Sequence, residues 1–256
     1  MPLLTLTSDI GNHDYLTGAI KARLLNINPD FRLIDISHNI APFNYPQASY
    51  VCRNAIKNFP DFTNHIILVN LFDKNQEHLL LAFHHNQYLF CANNGLLTMI
   101  LEEKPEMVIG IPWPEGKLKN TLQCVDIFGN IISQLNAGES IKNIGVPDIP
   151  YVEKNPLRPA VGDDWIDGQI IFIDNFENVI VNITRHEFEE LRKGRGVGGS
   201  GSKKQRCLYP VEIELRRILD ISLFVFPECP LHTTLSSFGP FIPDADAVFL
   251  QITFDQ

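Results

Sequence analysis

The chain has 256 residues, 45% of them hydrophobic, and a formal net charge of −9. That length holds one large domain or two ordinary ones, and that apolar content supports a real core, which excludes wholesale disorder. The negative balance argues against a nucleic-acid or acidic-membrane partner, no apolar run nears the ~20 residues of a membrane span, and Met1–Thr5 lacks a basic leader, so a cytoplasmic protein is expected.

Leu3 to Ser8 reads as a strand that ends in Asp9, followed by a turn at Gly11. Asp14 is placed to cap a helix beginning near Tyr15, whose Leu16, Ala19, Ile20 and Leu24 share a face. In an open α/β sheet, ligands bind beyond the carboxyl ends of the strands, where Asp9 stands; a carboxylate there can accept two hydrogen bonds from a ribose diol. The same group also serves simply to satisfy the helix amides that follow. Phe31–Ile36 is the next strand, Ser37–Phe43 a loop, and Pro46 starts a helix lined by Ala48, Val51, Cys52, Ala55 and Ile56. His65–Asn70 is an apolar strand with a polar end. Strands near Leu79–Phe83 and Tyr88–Cys91 follow, and Asn93-Asn94-Gly95 turns the chain before Leu96–Leu101.

This alternation predicts a Rossmann-like α/β domain over residues 1–146, built on a largely parallel sheet. Pro147, Pro150, Pro156 and Pro159 crowd the next stretch, so 147–163 is expected to be a linker. Strand-type patterning beyond it predicts a smaller C-terminal β domain over 164–256.

Cys52, Cys91, Cys124, Cys207 and Cys229 are odd in number, and no pair has C-x-x-C spacing, so neither a disulfide framework nor a zinc site is signalled. His84 and His85 are adjacent, and on a strand they would point to opposite faces. No metal and no resident cofactor are expected.

Residues 165–184 place two β-branched, apolar runs around Asp174, Phe176 and Asn178. A carboxylate, an aromatic and an amide in one turn can hold a small polar-aromatic ligand such as a nucleoside. They also suit a tight hairpin whose Asp and Asn cap their own backbone. Residues 194–204 contain a formal G-x-G-x-x-G from Gly194 to Gly199, but it follows a charged helical stretch, so it is taken as a Gly/Ser-rich flexible segment. Residues 205–256 follow no clear pattern. A divergent β domain and a frame shift near Gly194 both account for them, and translating the neighbouring frames separates the two.

Five pieces in order carry a resemblance: Leu-Thr-Ser-Asp-Ile-Gly-Asn-His-Asp at 6–14, Ile-Asp-Ile-Ser-His-Asn-Ile-Ala-Pro-Phe at 34–43, Asn-Asn-Gly-Leu-Leu-Thr at 93–98, Asp-Ile-Phe at 126–128, and Ile-Asp-Asn-Phe-Glu-Asn-Val-Ile-Val-Asn-Ile at 173–183. Over roughly residues 3–190 the chain resembles the S-adenosyl-L-methionine (SAM) hydroxide adenosyltransferases, relatives of the fluorinating and chlorinating adenosyl enzymes. The resemblance implies an N-terminal α/β domain, a C-terminal β domain, and a homotrimer with sites between subunits. It further implies that SAM, as substrate or ligand, is split at the ribose C5′ to release methionine and adenosine. Asp9 would hold the ribose hydroxyls, Phe43 would pack on the sugar or base, and Asp174, Phe176 and Asn178 would hold the methionine and adenosyl parts.

The family activates its water with an Asp, an Arg and a His. At the matching positions this chain carries Asn70, Glu77 and Gln123. Asn and Gln take no proton at neutral pH, and Glu reverses the charge that would stabilise hydroxide. Two functions are therefore expected as alternatives: a SAM hydrolase, or a weak or inactive SAM- or adenosine-binding protein or trimeric scaffold.

Overall fold

The structure, a computed structural model, describes residues 1–72, 77–114, 116, 119–162, 165–174, 178–184, 186–187, 212–217, 222–225 and 247–251. They fall into two units, Met1–Pro156 and Leu157–Gln256. In the first, the strands are β1 (Leu3–Ser8), β2 (Arg32–Ser37), β3 (Asn64–Leu68), β4 (His78–His84), β5 (Gln87–Ala92), β6 (Met107–Pro112) and β7 (Val146–Pro147); the helices are α1 (Leu16–Ile27), α2 (Tyr45–Ile56), α3 (Leu96–Leu101) and α4 (Thr121–Asn136). The sheet order is β2-β1-β3-β5-β4-β6-β7.

The central strands alternate strictly between two cores, because successive side chains leave a strand on opposite faces. Leu4, Leu6, Ile66, Leu68, Leu79, Leu81 and Phe90 join Ile20, Leu24, Phe128 and Ile132 on the face covered by α1 and α4. Ile67, Leu80, Ala82, Leu89 and Cys91 join Ala48, Cys52, Leu97 and Ile100 on the face covered by α2 and α3. Both faces are buried, so these strands read as continuous apolar runs. Cys52, Cys91 and Cys124 are free thiols in these cores, and burial pushes Cys52 and Cys91 up to about 12.

The α/β layer is present, but the sheet is only partly parallel. β1–β2, β1–β3 and β3–β5 pair parallel, whereas β4–β5, β4–β6 and β6–β7 pair antiparallel. A hairpin between β4 and β5 causes this. His85 and Asn86 lie in the left-handed region (φ 44° and 59°), as a two-residue hairpin turn requires. His85 therefore leaves the strand, and its side chain need not oppose that of His84; both rings reach one carboxylate oxygen.

Residues 147–156, expected as part of a linker, instead belong to the first unit. Val152 N–H donates to Asn93 Oδ1 (2.7 Å), Thr98 Oγ1 donates to the Lys154 carbonyl (2.8 Å), and Lys154 Nζ sits 3.4 Å over the Tyr45 ring. A β-carbon on Gly95 (φ 91°) would stand 2.5 Å from Lys154 Cγ, so both the turn and this close approach require glycine there. The prolines prevent regular structure without preventing docking.

In the second unit, β8 (Ala160–Val161), β9 (Trp165–Ile173), β10 (Asn178–Thr184), β11 (Glu212–Arg217), β12 (Ser222–Val225) and β13 (Ala247–Gln251) form a six-stranded sheet among the described residues. Its pairs are antiparallel except β9–β11. It takes in residues 160–161 of the expected linker, and Asn182 Nδ2 donates to the Leu157 carbonyl (3.1 Å). Among the described residues, no helix is long and apolar enough to cross a membrane.

Candidate functional site

Asp9 follows the last residue of β1, at the carboxyl end of the parallel strands. The loops beyond β1, β2 and β3 meet there through side-chain hydrogen bonds. Ser8 Oγ and His38 Nδ1, both buried, lie 2.7 Å apart, and Gly11 N–H donates to the His38 carbonyl (2.7 Å). Asp9 Oδ2 accepts from the Asn70 N–H (2.8 Å). Asn70 Oδ1 accepts in turn from the Phe43 N–H (2.9 Å). Asn70 and Phe43 both have positive φ (47° and 61°), a conformation asparagine tolerates better than most residues.

A second asparagine holds this arrangement from behind. Asn94 is fully buried; its Nδ2 donates to the carbonyls of Val69 (3.0 Å) and Asn70 (3.1 Å), and its Oδ1 accepts from the Leu96 N–H (3.0 Å). It staples the turn before α3 to the end of β3. The Asn-Asn-Gly turn was visible in the sequence, but nothing local showed that its middle residue reaches another strand.

The loops frame an open cleft of about 330 Å³ lined by Asp9, Ile10, Phe43, Asn70, Leu71, Phe72 and Thr121, among others. Phe43 (67% exposed) and Phe72 (46%) present aromatic surface to it. The Phe72 ring lies 6.3 Å from that of Trp113. Asp9 Oδ1 has no partner among the described residues, and Asn70 Nδ2 is a buried donor likewise without one. The cleft thus offers a carboxylate acceptor between aromatic side chains, with the Asn70 amide donor buried in its wall. Leaving the buried Asn70 donor unpaired costs about 1–3 kcal/mol, whereas Asp9 is only half-buried, so its free oxygen can accept from water or from a hydroxyl-bearing ligand.

Asp9, Phe43 and Asn70 line this one cleft, and Phe72 and Thr121 line it without having been singled out in the sequence. Glu77 and Gln123 are not among the lining residues. Glu77 is exposed just before β4, with its carbonyl accepting from the Trp113 N–H (3.4 Å). Gln123 lies in the first turn of α4, where its N–H donates to the capping Asn120 Oδ1 (2.8 Å). In the second unit, Asp174 is half-buried at the end of β9, and Asn178 opens β10, whose pairing with β9 makes the expected hairpin. Phe176 lies outside the described residues, as does the 194–204 segment.

Comparison with known proteins matches this architecture to one family. Residues 4–145 fit the model of the SAM hydroxide adenosyltransferase N-terminal domain. The (R)-S-adenosyl-L-methionine hydrolase of Methanocaldococcus jannaschii is 27% identical over 192 residues, spanning 73% of this chain and 69% of that protein. An uncharacterized conserved protein from Thermotoga maritima superposes with a TM-score of 0.63 at 27% identity, covering 75% of this chain and 74% of that one. A conserved hypothetical protein from Thermus thermophilus shares the fold (TM-score 0.53, 22% identity, 72% and 73% covered).

Proposed function

The chain belongs to the SAM hydroxide adenosyltransferase family, and from that premise we propose that the cleft beside Asp9 binds the adenosyl part of SAM and that the protein hydrolyses SAM slowly to adenosine and L-methionine. The observation that carries this is the Asp9 carboxylate in the cleft, whose Oδ2 is held by the Asn70 N–H while Oδ1 has no partner among the described residues. A ribose hydroxyl can donate to that Oδ1. Phe43 and Phe72 supply flat apolar surface for sugar or base, and a carboxylate with aromatic walls suits the sulfonium cation.

In the reaction, water oxygen bonds to C5′ as the C5′–S bond breaks. The electron pair goes to sulfur, which leaves as the neutral thioether of methionine, and the proton passes to solvent. Asn70 stands where the family carries an aspartate, and its Oδ1 is occupied by the Phe43 N–H. An amide so placed can orient a water but takes no proton from it. Loss of a general base costs about 10²–10⁴-fold, which sets the scale of the slow turnover. The same observation favours a second reading, a SAM- or adenosine-binding protein without turnover.

Calorimetry with SAM and with adenosine, followed by chromatography of the mixtures, tests both. Binding with gradual release of adenosine and methionine supports hydrolysis, binding with intact SAM supports the second reading, and absence of binding defeats both.

A further inference from the structure

At the opposite end of the strands from the cleft, two imidazoles and a carboxylate converge. β4 ends at His84, His85 begins the turn into β5, and Glu103 lies in the loop between α3 and β6. His84 Nε2 and His85 Nε2 each lie 2.9 Å from the same oxygen, Glu103 Oε1. The two rings meet edge to face with centroids 4.1 Å apart. Their ligand-type atoms all lie within 4.8 Å of one another. We propose that His84, His85 and Glu103 form a binding site for a zinc-type divalent transition metal, with water completing its coordination.

The geometry and the donor set both support this. Four-coordinate zinc, with bonds of about 2.0–2.1 Å, separates its ligand atoms by about 3.3 Å, so the two imidazole–carboxylate separations of 2.9 Å need to open by only a few tenths of an ångström, and the two imidazole nitrogens lie within 4.8 Å of each other. The His85 and Glu103 side chains are 73% and 59% exposed and free to adjust, whereas His84 is 10% exposed and held by its strand. Two imidazoles and a carboxylate suit zinc over calcium or magnesium, which prefer all-oxygen shells.

His84 Nδ1 has no acceptor among the described residues. The site lacks the outer hydrogen bond that commonly firms a ligating imidazole and is worth about 10–100-fold in affinity, so micromolar rather than nanomolar binding is expected. Bound metal would tie the β4–β5 turn to the loop after α3.

The test is a zinc titration of the chelator-treated full chain by calorimetry, alongside His85→Ala, Glu103→Gln and the double variant. Binding of about one zinc per chain is expected, weakened about tenfold or more in each single variant and lost in the double. Cobalt in place of zinc should show the visible bands of a four-coordinate ion in the wild type alone. Zinc should also raise the melting temperature of the wild type and not that of the double variant. Failure of the wild type to bind, or undiminished binding by the double variant, overturns the site. Because neither exposed residue lines the cleft, SAM binding by the same variants should match the wild type, which separates this outcome from the fate of the proposed function.

Discussion

Asn70 is the side chain on which the cleft loops converge, so its replacement should be felt in stability before any ligand is added. Asn70→Ala removes the acceptor of the Phe43 N–H, a net loss of about 0.5–1.5 kcal/mol. It also places alanine at φ 47°, where the left-handed conformation costs about 1–2 kcal/mol. Removing the amide relieves the buried, unpaired Nδ2, which returns part of that loss. The net expectation is about 1–2 kcal/mol of destabilisation. Asn70→Gly loses the same hydrogen bond without the strain, but frees the unfolded chain by about 0.4–1 kcal/mol, so it should exceed Ala by about 0.5–1 kcal/mol. Asn70→Asp keeps the acceptor and the tolerance for positive φ while setting a second carboxylate beside Asp9; its loss should be about 1 kcal/mol or less and shrink with added salt. Urea unfolding followed by circular dichroism, compared at constant slope, reads all three. An alanine variant as stable as the wild type, or a glycine variant less stable than alanine, would refute the strained, hydrogen-bonded role given to Asn70.

Other consequences follow from the same structure. Burial holds the His65 imidazole down to about 4 from 6.5, so the unfolded chain binds more protons between those values and stability must fall as pH drops through that window. The loss should approach about 3 kcal/mol near pH 4, and His65→Gln should flatten that part of a stability–pH profile; an unchanged slope would contradict the buried neutral histidine. Asn70→Asp, at the one of the three family positions that lines the cleft, should raise SAM turnover by up to about 10²–10⁴-fold by restoring a base, and an unchanged rate would refute that role. Glu77→Gln should leave turnover unchanged, since Glu77 does not line the cleft; a collapse would make it the base. Light scattering should return three times the chain mass if the homotrimer expected from the resemblance forms, and the mass of a single chain would reject it.

Much of this fold was legible because local chemistry and tertiary position agree. Asp14 Oδ1 accepts from the Leu16 N–H (2.8 Å) at the start of α1, as its place before an apolar-periodic run suggested. Pro46 does sit in the first turn of α2, with Asn44 as the cap. Asp9 at the end of an apolar strand pointed to the cleft through the general geometry of α/β sheets. What stayed hidden depends on contacts between distant residues. The β4–β5 hairpin turns on His85-Asn86, without the glycine that usually announces such a turn, so the antiparallel half of the sheet and the meeting of two adjacent histidines were missed. The docking of 147–156 rests on the fit of Lys154 against Gly95 and Tyr45, which no proline count reveals. Glu77 and Gln123 were assigned by position along the chain, and position along the chain does not say which side chains line a cleft.

The central claim is that Asp9 holds an adenosyl ligand, and calorimetry with SAM and adenosine on the wild type, Asp9→Ala and Asp9→Asn tests it most directly. Asp9→Asn keeps an acceptor for the Asn70 N–H and so guards against simple collapse of the loop. The wild type should bind both ligands. Asp9→Ala should weaken each by about 1–3 kcal/mol, roughly 5- to 150-fold, with Asp9→Asn between the two. Equal binding by the wild type and Asp9→Ala, or no binding by the wild type, would contradict the account.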